Sequence, residues 1–180
     1  DWGNVKFRSN VQYSGTDREE ESKTLTDNFM KAEKSITNST SSSRNRNDGV
    51  TGNAYLEWKI DTVTNLIFRP TFRYSTADRR GASYQKSWSG EEELNEKESS
   101  NWSESSQYSL ALMLQVNRKL NTRGRNVALK LDYGTNASTS DRLNYATTRY
   151  FKTGTEKILN QKIDNKTDGD NYRIQLVYVE

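Results

Sequence analysis

The sequence predicts an all-β chain of about six antiparallel strands. The first observation is alternation: in six stretches apolar side chains recur at every second residue, the period of a strand with two unlike faces. The second is the count, since one face so defined is apolar at 26 of 27 positions, Ser9 being the exception, while the other is polar at 16 of 23. The third is spacing: short connections alternate with stretches of more than 30 residues that are rich in Ser, Thr, Asn and charge.

The strands are expected near 4–14, 53–61, 65–75, 107–120, 126–134 and 171–179. In the first, Val5, Phe7, Val11 and Tyr13 oppose Lys6, Arg8, Asn10 and Gln12. The second sets Ala54, Leu56, Trp58 and Ile60 against Tyr55, Glu57 and Lys59. The third sets Leu66, Phe68, Pro70, Phe72 and Tyr74 against Ile67, Arg69, Thr71 and Arg73. Its proline lacks the N–H that a central strand uses, so a bulge or an edge is expected there. The fourth carries Tyr108, Leu110, Leu112, Leu114 and Val116 on one face, the fifth Val127, Leu129, Leu131 and Tyr133, and the sixth Tyr172, Ile174, Leu176 and Tyr178.

Tight turns are expected around 61–65 and 121–125, and long loops over 15–49, 75–107 and 134–171. Short turns at one end and long polar loops at the other mark an up-and-down transmembrane β-barrel, with periplasmic turns and outward loops. Tyr13, Tyr74, Tyr108, Tyr133 and Tyr172 all fall at the long-loop ends, where an aromatic girdle would meet lipid headgroups. Leu, Ile, Val and Phe together make less than a fifth of the 180 residues, too few for an ordinary packed core. A barrel needs apolar residues only where a strand meets lipid. Six strands cannot close one, the smallest having about eight, so remaining barrel strands or further copies must cover the two edges. The chain, which begins at Asp1 without a signal peptide, reads as a single segment, 1–180, excised from something longer. The rival is a soluble extracellular β-sheet module that binds glycans or matrix, because a half-solvated sheet alternates in the same way.

Missing residue types exclude whole chemistries. Without His or Cys there is no Ser-His-Asp triad, cysteine nucleophile, disulfide or ordinary zinc site. Neither phosphate-binding glycine motif is present. No uncharged apolar run approaches the length of a membrane-spanning helix. Lys and Arg, 27 in all, are interspersed with 24 Asp and Glu, so no nucleic-acid stripe is expected.

The candidates for chemistry lie in the long polar stretches, and each has a plainer explanation. Asp164, Asn165, Asp168, Gly169, Asp170 and Asn171 suggest calcium, but an EF-hand alignment puts Lys166 and Gln175 where ligand oxygens are needed; a polar turn fits better. Glu19, Glu20, Glu21 and Glu91, Glu92, Glu93 suit divalent cations or an acid pair, although such runs are usually solvated. Leu143 to Phe151, with Tyr145, Tyr150 and Phe151, reads as a strand extension above the membrane or an aromatic sugar platform. The sequons at Asn38, Asn101, Asn136 and Asn165 are expected by chance in so polar a chain. The sequence therefore assigns no catalytic residue, metal or cofactor, and its ligand-binding residues are unknown.

Leu56-Glu57-Trp58-Lys59, Asn65-Leu66-Ile67-Phe68-Arg69-Pro70, and Asn117-Arg118-Lys119-Leu120-Asn121 leading into Gly124-Arg125-Asn126-Val127 resemble the outer-membrane β-barrel family of TonB-dependent-receptor type found in Gram-negative gut anaerobes. The resemblance covers about residues 50–135, in strands and turns. It implies a place in the cell outer membrane among lipid, a role in uptake or surface reception, a partner in some extracellular ligand, and no enzymatic activity. The chain departs from the family in lacking a TonB box, a plug and a terminal aromatic residue.

Overall fold

The computed structural model describes residues 3–28, 34–121 and 124–180. Six strands, β1 (Val5–Asn28), β2 (Ser35–Lys59), β3 (Thr64–Ser89), β4 (Glu92–Lys119), β5 (Asn126–Tyr150) and β6 (Thr155–Val179), form one antiparallel sheet in sequence order. No helix occurs among the described residues. The sheet is an open up-and-down meander: β1 and β6 are its edges, and no pairing among the described residues closes it into a cylinder.

All six strands stand where alternation puts them, but each runs 24 to 28 residues. The stretches read as long loops are therefore not loops. Strand pairing continues through them to Asn28↔Ser35, Ser89↔Glu92 and Tyr150↔Thr155. Two of the distal connections are tight, Gly90-Glu91 and 151–154, each with a glycine in the left-handed region, Gly90 at φ 61° and Gly154 at φ 63°, where a side chain would be strained. The β1–β2 turn and residues Thr122 and Arg123 of the β4–β5 turn lie outside the described residues.

Polar sequence holds this ladder because the register matches its side chains across strands. Hydroxyls meet directly at Ser22 and Ser41 (3.0 Å), Thr37 and Ser87 (2.9 Å), Ser83 and Ser99 (2.7 Å), and Ser106 and Thr139 (2.8 Å). Such cross-strand pairs contribute about 0.2–1 kcal/mol each.

Pro70 occupies neither a bulge nor an edge. Its strand pairs without interruption with β4, Pro70 lying opposite Leu112. On the β2 side pairing stops at Asn53↔Thr71 and resumes at Leu56↔Phe68 with the register unchanged. The missing N–H is accommodated as a gap in one ladder. The one register shift of β3 and β4 lies far away, between Ser87 and Trp88.

A single sheet has no inside. Among the described residues no hydrophobic side chain is buried, and the chain exposes 13576 Å², against about 8,900 Å² for a compact monomer of 20.8 kDa. Stable domains place a second layer over an apolar sheet face. None of the described residues supplies one.

Candidate functional site

Because side chains alternate, the ladder register decides which residues of neighbouring strands share a face. Val5, Trp58, Leu66, Val116, Leu129 and Leu176 stand in one continuous row across all six strands. The next rows bring Phe7, Leu56, Phe68 and Leu114 beside Leu131 and Ile174. The six apolar faces thus merge into one band about nine residues tall, from Val5 to Tyr13 on β1 and from Tyr108 to Val116 on β4. A tilted strand crosses the hydrocarbon of a bilayer in about 9–11 residues. The band is most exposed at the two edges, where Val11 is 74% and Ile174 72% accessible.

The upper rim of the band carries the tyrosines named above. Tyr74 faces Tyr108, and Tyr133 faces Tyr172 with ring centroids 5.1 Å apart. Their row is not level, since Tyr108 pairs with Ala137 and Tyr133 lies four residues nearer the short turns. Across β1–β4 the rim keeps one ladder row through Tyr13, Val50, Tyr74 and Tyr108, and the drop is a single step between β4 and β5. Two of the hydroxyls donate hydrogen bonds to carboxylates just above the rim, Tyr13 to Asp48 at 2.6 Å and Tyr133 to Asp170 at 3.1 Å. Each ring is thus left among apolar neighbours and each hydroxyl among polar ones. Trp58 marks the lower rim, opposite Val5 and Leu66.

Above the rim the same face is charged, with fifteen Asp and Glu to eight Lys and Arg along the paired strands. Most of its bases are paired: Arg44 donates to both oxygens of Asp17 at 3.0 and 2.6 Å, Arg80 bonds Asp78, and Lys162 and Arg149 lie 3.0 and 3.1 Å from Asp164 and Glu156. The Arg44 guanidinium holds the Asp17 carboxyl below the ordinary carboxylate range. Two shallow cavities lie here, the larger of about 650 Å³ and lined by Glu21, Lys23, Tyr84, Glu98 and Tyr145.

The opposite face is basic. It carries Lys6, Arg8 and Arg18 of β1, Lys59 of β2, Arg69, Arg73 and Arg79 of β3, Lys97 and Lys119 of β4, Lys130 and Arg142 of β5, and Lys157 and Arg173 of β6. Against these thirteen stand Glu20, Glu57, Glu92 and Asp132. Among the described residues, only Lys6, Arg18 and Lys130 of this set form ion pairs, with Glu57, Glu20 and Asp132.

Most of the sequence-derived candidates do not converge. Asp164, Asp168 and Asp170 share the band face while Asn165, Gly169 and Asn171 take the other, because the stretch is strand β6 and not a calcium loop or a turn. Glu19 and Glu21 flank Glu20 across the sheet, and Glu93, after the turn, pairs with Lys86 at 2.5 Å. Leu143 to Tyr150 does extend β5, but this puts Tyr145 and Tyr150 on opposite faces and Phe151 in the turn, so they form no common platform. Of the sequons, Asn38 lies on the band face, and Asn101, Asn136 and Asn165 on the basic one. No group of three Asp or Glu among the described residues is arranged to hold a metal ion.

At the short-turn end, Asp61 caps the β2–β3 connection, accepting hydrogen bonds from the N–H groups of Val63 and Thr64, both at 2.7 Å. The Val63 bond foremost holds its carboxyl below the ordinary range. A depressed carboxylate stabilises the fold above its unfolded value of about 3.9 and loses that contribution as pH falls through the lower folded value. Asp61→Asn should therefore lower the melting temperature at about pH 7 and make little difference at about pH 2; a pH-independent loss would remove the ionic part of this account.

No protein-family profile matches the chain, and no curated protein does. Among solved structures, the membrane pore complex of pneumolysin aligns with 99% of this chain and 33% of its own at 11% identity and a TM-score of 0.19. This chain thus spans about a third of that protein's length. The beta domain of the Bordetella autotransporter BrkA aligns over 94% of this chain and 95% of its own, at 7% identity and a TM-score of 0.12.

Proposed function

We propose that this chain is a segment of an outer-membrane β-barrel protein, a transporter or surface receptor of TonB-dependent-receptor type. The observation that carries the reading is the apolar band: continuous across six strands, of bilayer height, rimmed by tyrosines, and covered by no described residue. Burial of such a band is worth about 25 cal/mol per Å² of apolar surface, so it must meet lipid or a second layer. The sequence resemblance over about residues 50–135 supports the receptor type. The strands beyond the band would then stand clear of the membrane as a polar palisade, and the open edges of β1 and β6 would be completed by further strands of the same protein or by further copies. Exposed strand edges do not persist in hydrocarbon.

The soluble glycan- or matrix-binding module would need a layer over the band. The test is solubility: the 180-residue chain alone is expected to aggregate without detergent and to disperse with it. A monodisperse, detergent-free monomer that melts cooperatively would overturn the membrane reading in favour of the soluble sheet.

A further inference from the structure

We propose that the basic face binds small anions bearing phosphate or carboxylate groups, with Arg79 and Arg142 as the residues that hold them, so that the solute handled by the barrel is anionic. Calling this face the wet lumen rests on the barrel reading; its charge does not. Ser103 of β4 lies directly opposite Arg79 on β3 and directly opposite Arg142 on β5. The two arginines are therefore two strands apart, about 10 Å at the backbone, and their long side chains can close on one anion above Ser103. Neither forms an ion pair or side-chain hydrogen bond with any described residue. Each guanidinium keeps five N–H donors in a planar fork suited to phosphate or carboxylate. On the band face, by contrast, Arg44, Arg46, Arg80 and Arg149 are all neutralised by carboxylates.

The surroundings fit the same ligand. Arg79 also lines two cavities that open on this face to either side of Ser103 and Arg142, which line neither, one of about 490 Å³ with Lys97, Asn45 and Asn101, the other of about 340 Å³ with Asn47 and Gln107. Room is made by glycine: a Cβ on Gly81 would lie 2.3 Å from the Asn101 side-chain oxygen. Beyond the band, Glu20 and Glu92, the first residue of β4, are the acids on this face, and Tyr150 is the one aromatic residue there among those described. Single-stranded nucleic acid would require stacking aromatics, so the face suits a small hydrophilic anion, in the manner of the Lys and Arg rings that line anion pores.

Because the sequence has no cysteine, single thiols can report the charge of each face. Ser103→Cys places one between the arginines, and Ser106→Cys places one on the band face about 10 Å nearer the tyrosine rim. Each folded chain is treated with the anionic ethylsulfonate and the cationic ethylammonium methanethiosulfonate. The anion-to-cation rate ratio should be about tenfold or more higher at position 103. It should collapse in Arg79→Gln/Arg142→Gln and at about 1 M salt. Equal ratios at the two positions, or a ratio indifferent to the double substitution, would overturn the inference. Ser105→Cys, on the same face, serves if Ser103→Cys loses strand content. Failure of the barrel reading shows separately, as loss of lipid contact at Trp58 with the thiol ratios intact.

Discussion

Leu112→Arg should destabilise the lipid-embedded sheet by about 2–4 kcal/mol, the cost of a basic residue at the bilayer midplane of a β-barrel. Leu112 stands mid-band on the central strand β4, four residues from either end of the band on that strand, opposite Pro70 on β3 and the rim residue Tyr133 on β5. Gln115→Arg is the control. Its side chain lies on the basic face, where it bonds Asn117 at 2.8 Å, and it should lose at most about 1 kcal/mol with that one hydrogen bond. Equilibrium unfolding in lipid or detergent measures both. Equal losses would mean that the two faces share one environment.

Ser105→Pro is expected to have the second large effect. In a loop of the predicted extent, 75–107, proline would be harmless. Ser105 instead pairs with Ala77 and Ser140 inside the ladder, far from any turn. Proline removes a ladder N–H and leaves its acceptor unpaired, a loss of about 1–3 kcal/mol before any steric clash. Lys152→Pro, in the 151–154 turn, should cost far less. Thermal unfolding followed by far-UV circular dichroism separates the two, and equal melting temperatures would contradict the continuous strand.

The near halves of the strands were legible because apolar and polar residues alternate there, and 3.6-residue spacing would have scrambled both sets. The far halves were not, since alternation between two kinds of polar residue leaves no hydropathy signal. Around Arg80, for example, Asp78, Arg80, Ala82, Tyr84 and Lys86 take one face and Ala77, Arg79, Gly81, Ser83, Gln85 and Ser87 the other, with polar residues on both. One signal was available: between Ser75 and Gln107 there is no proline, and only Gly81 and Gly90 interrupt, too little punctuation for a loop of that length. The anion-binding row escaped for a related reason. Arg79, Ser103 and Arg142 are far apart in sequence, and only the register of β3, β4 and β5 brings them together. Pro70 misled in the other direction, because a gap in one ladder with the register kept is not a pattern that sequence displays.

The most direct measurement of the lipid contact is tryptophan quenching by brominated phospholipid. Trp58 sits on the band between Leu56 and Ile60, 44% exposed. Trp88 lies on the same face near the far turn, opposite Ile36 and with the Lys86 ammonium 5.7 Å from its ring. In chains keeping one or the other as the sole tryptophan, and folded into brominated vesicles, Trp58 should be strongly quenched and Trp88 nearly untouched. A folded, bilayer-bound chain in which Trp58 resists quenching would contradict the assignment of this face to lipid.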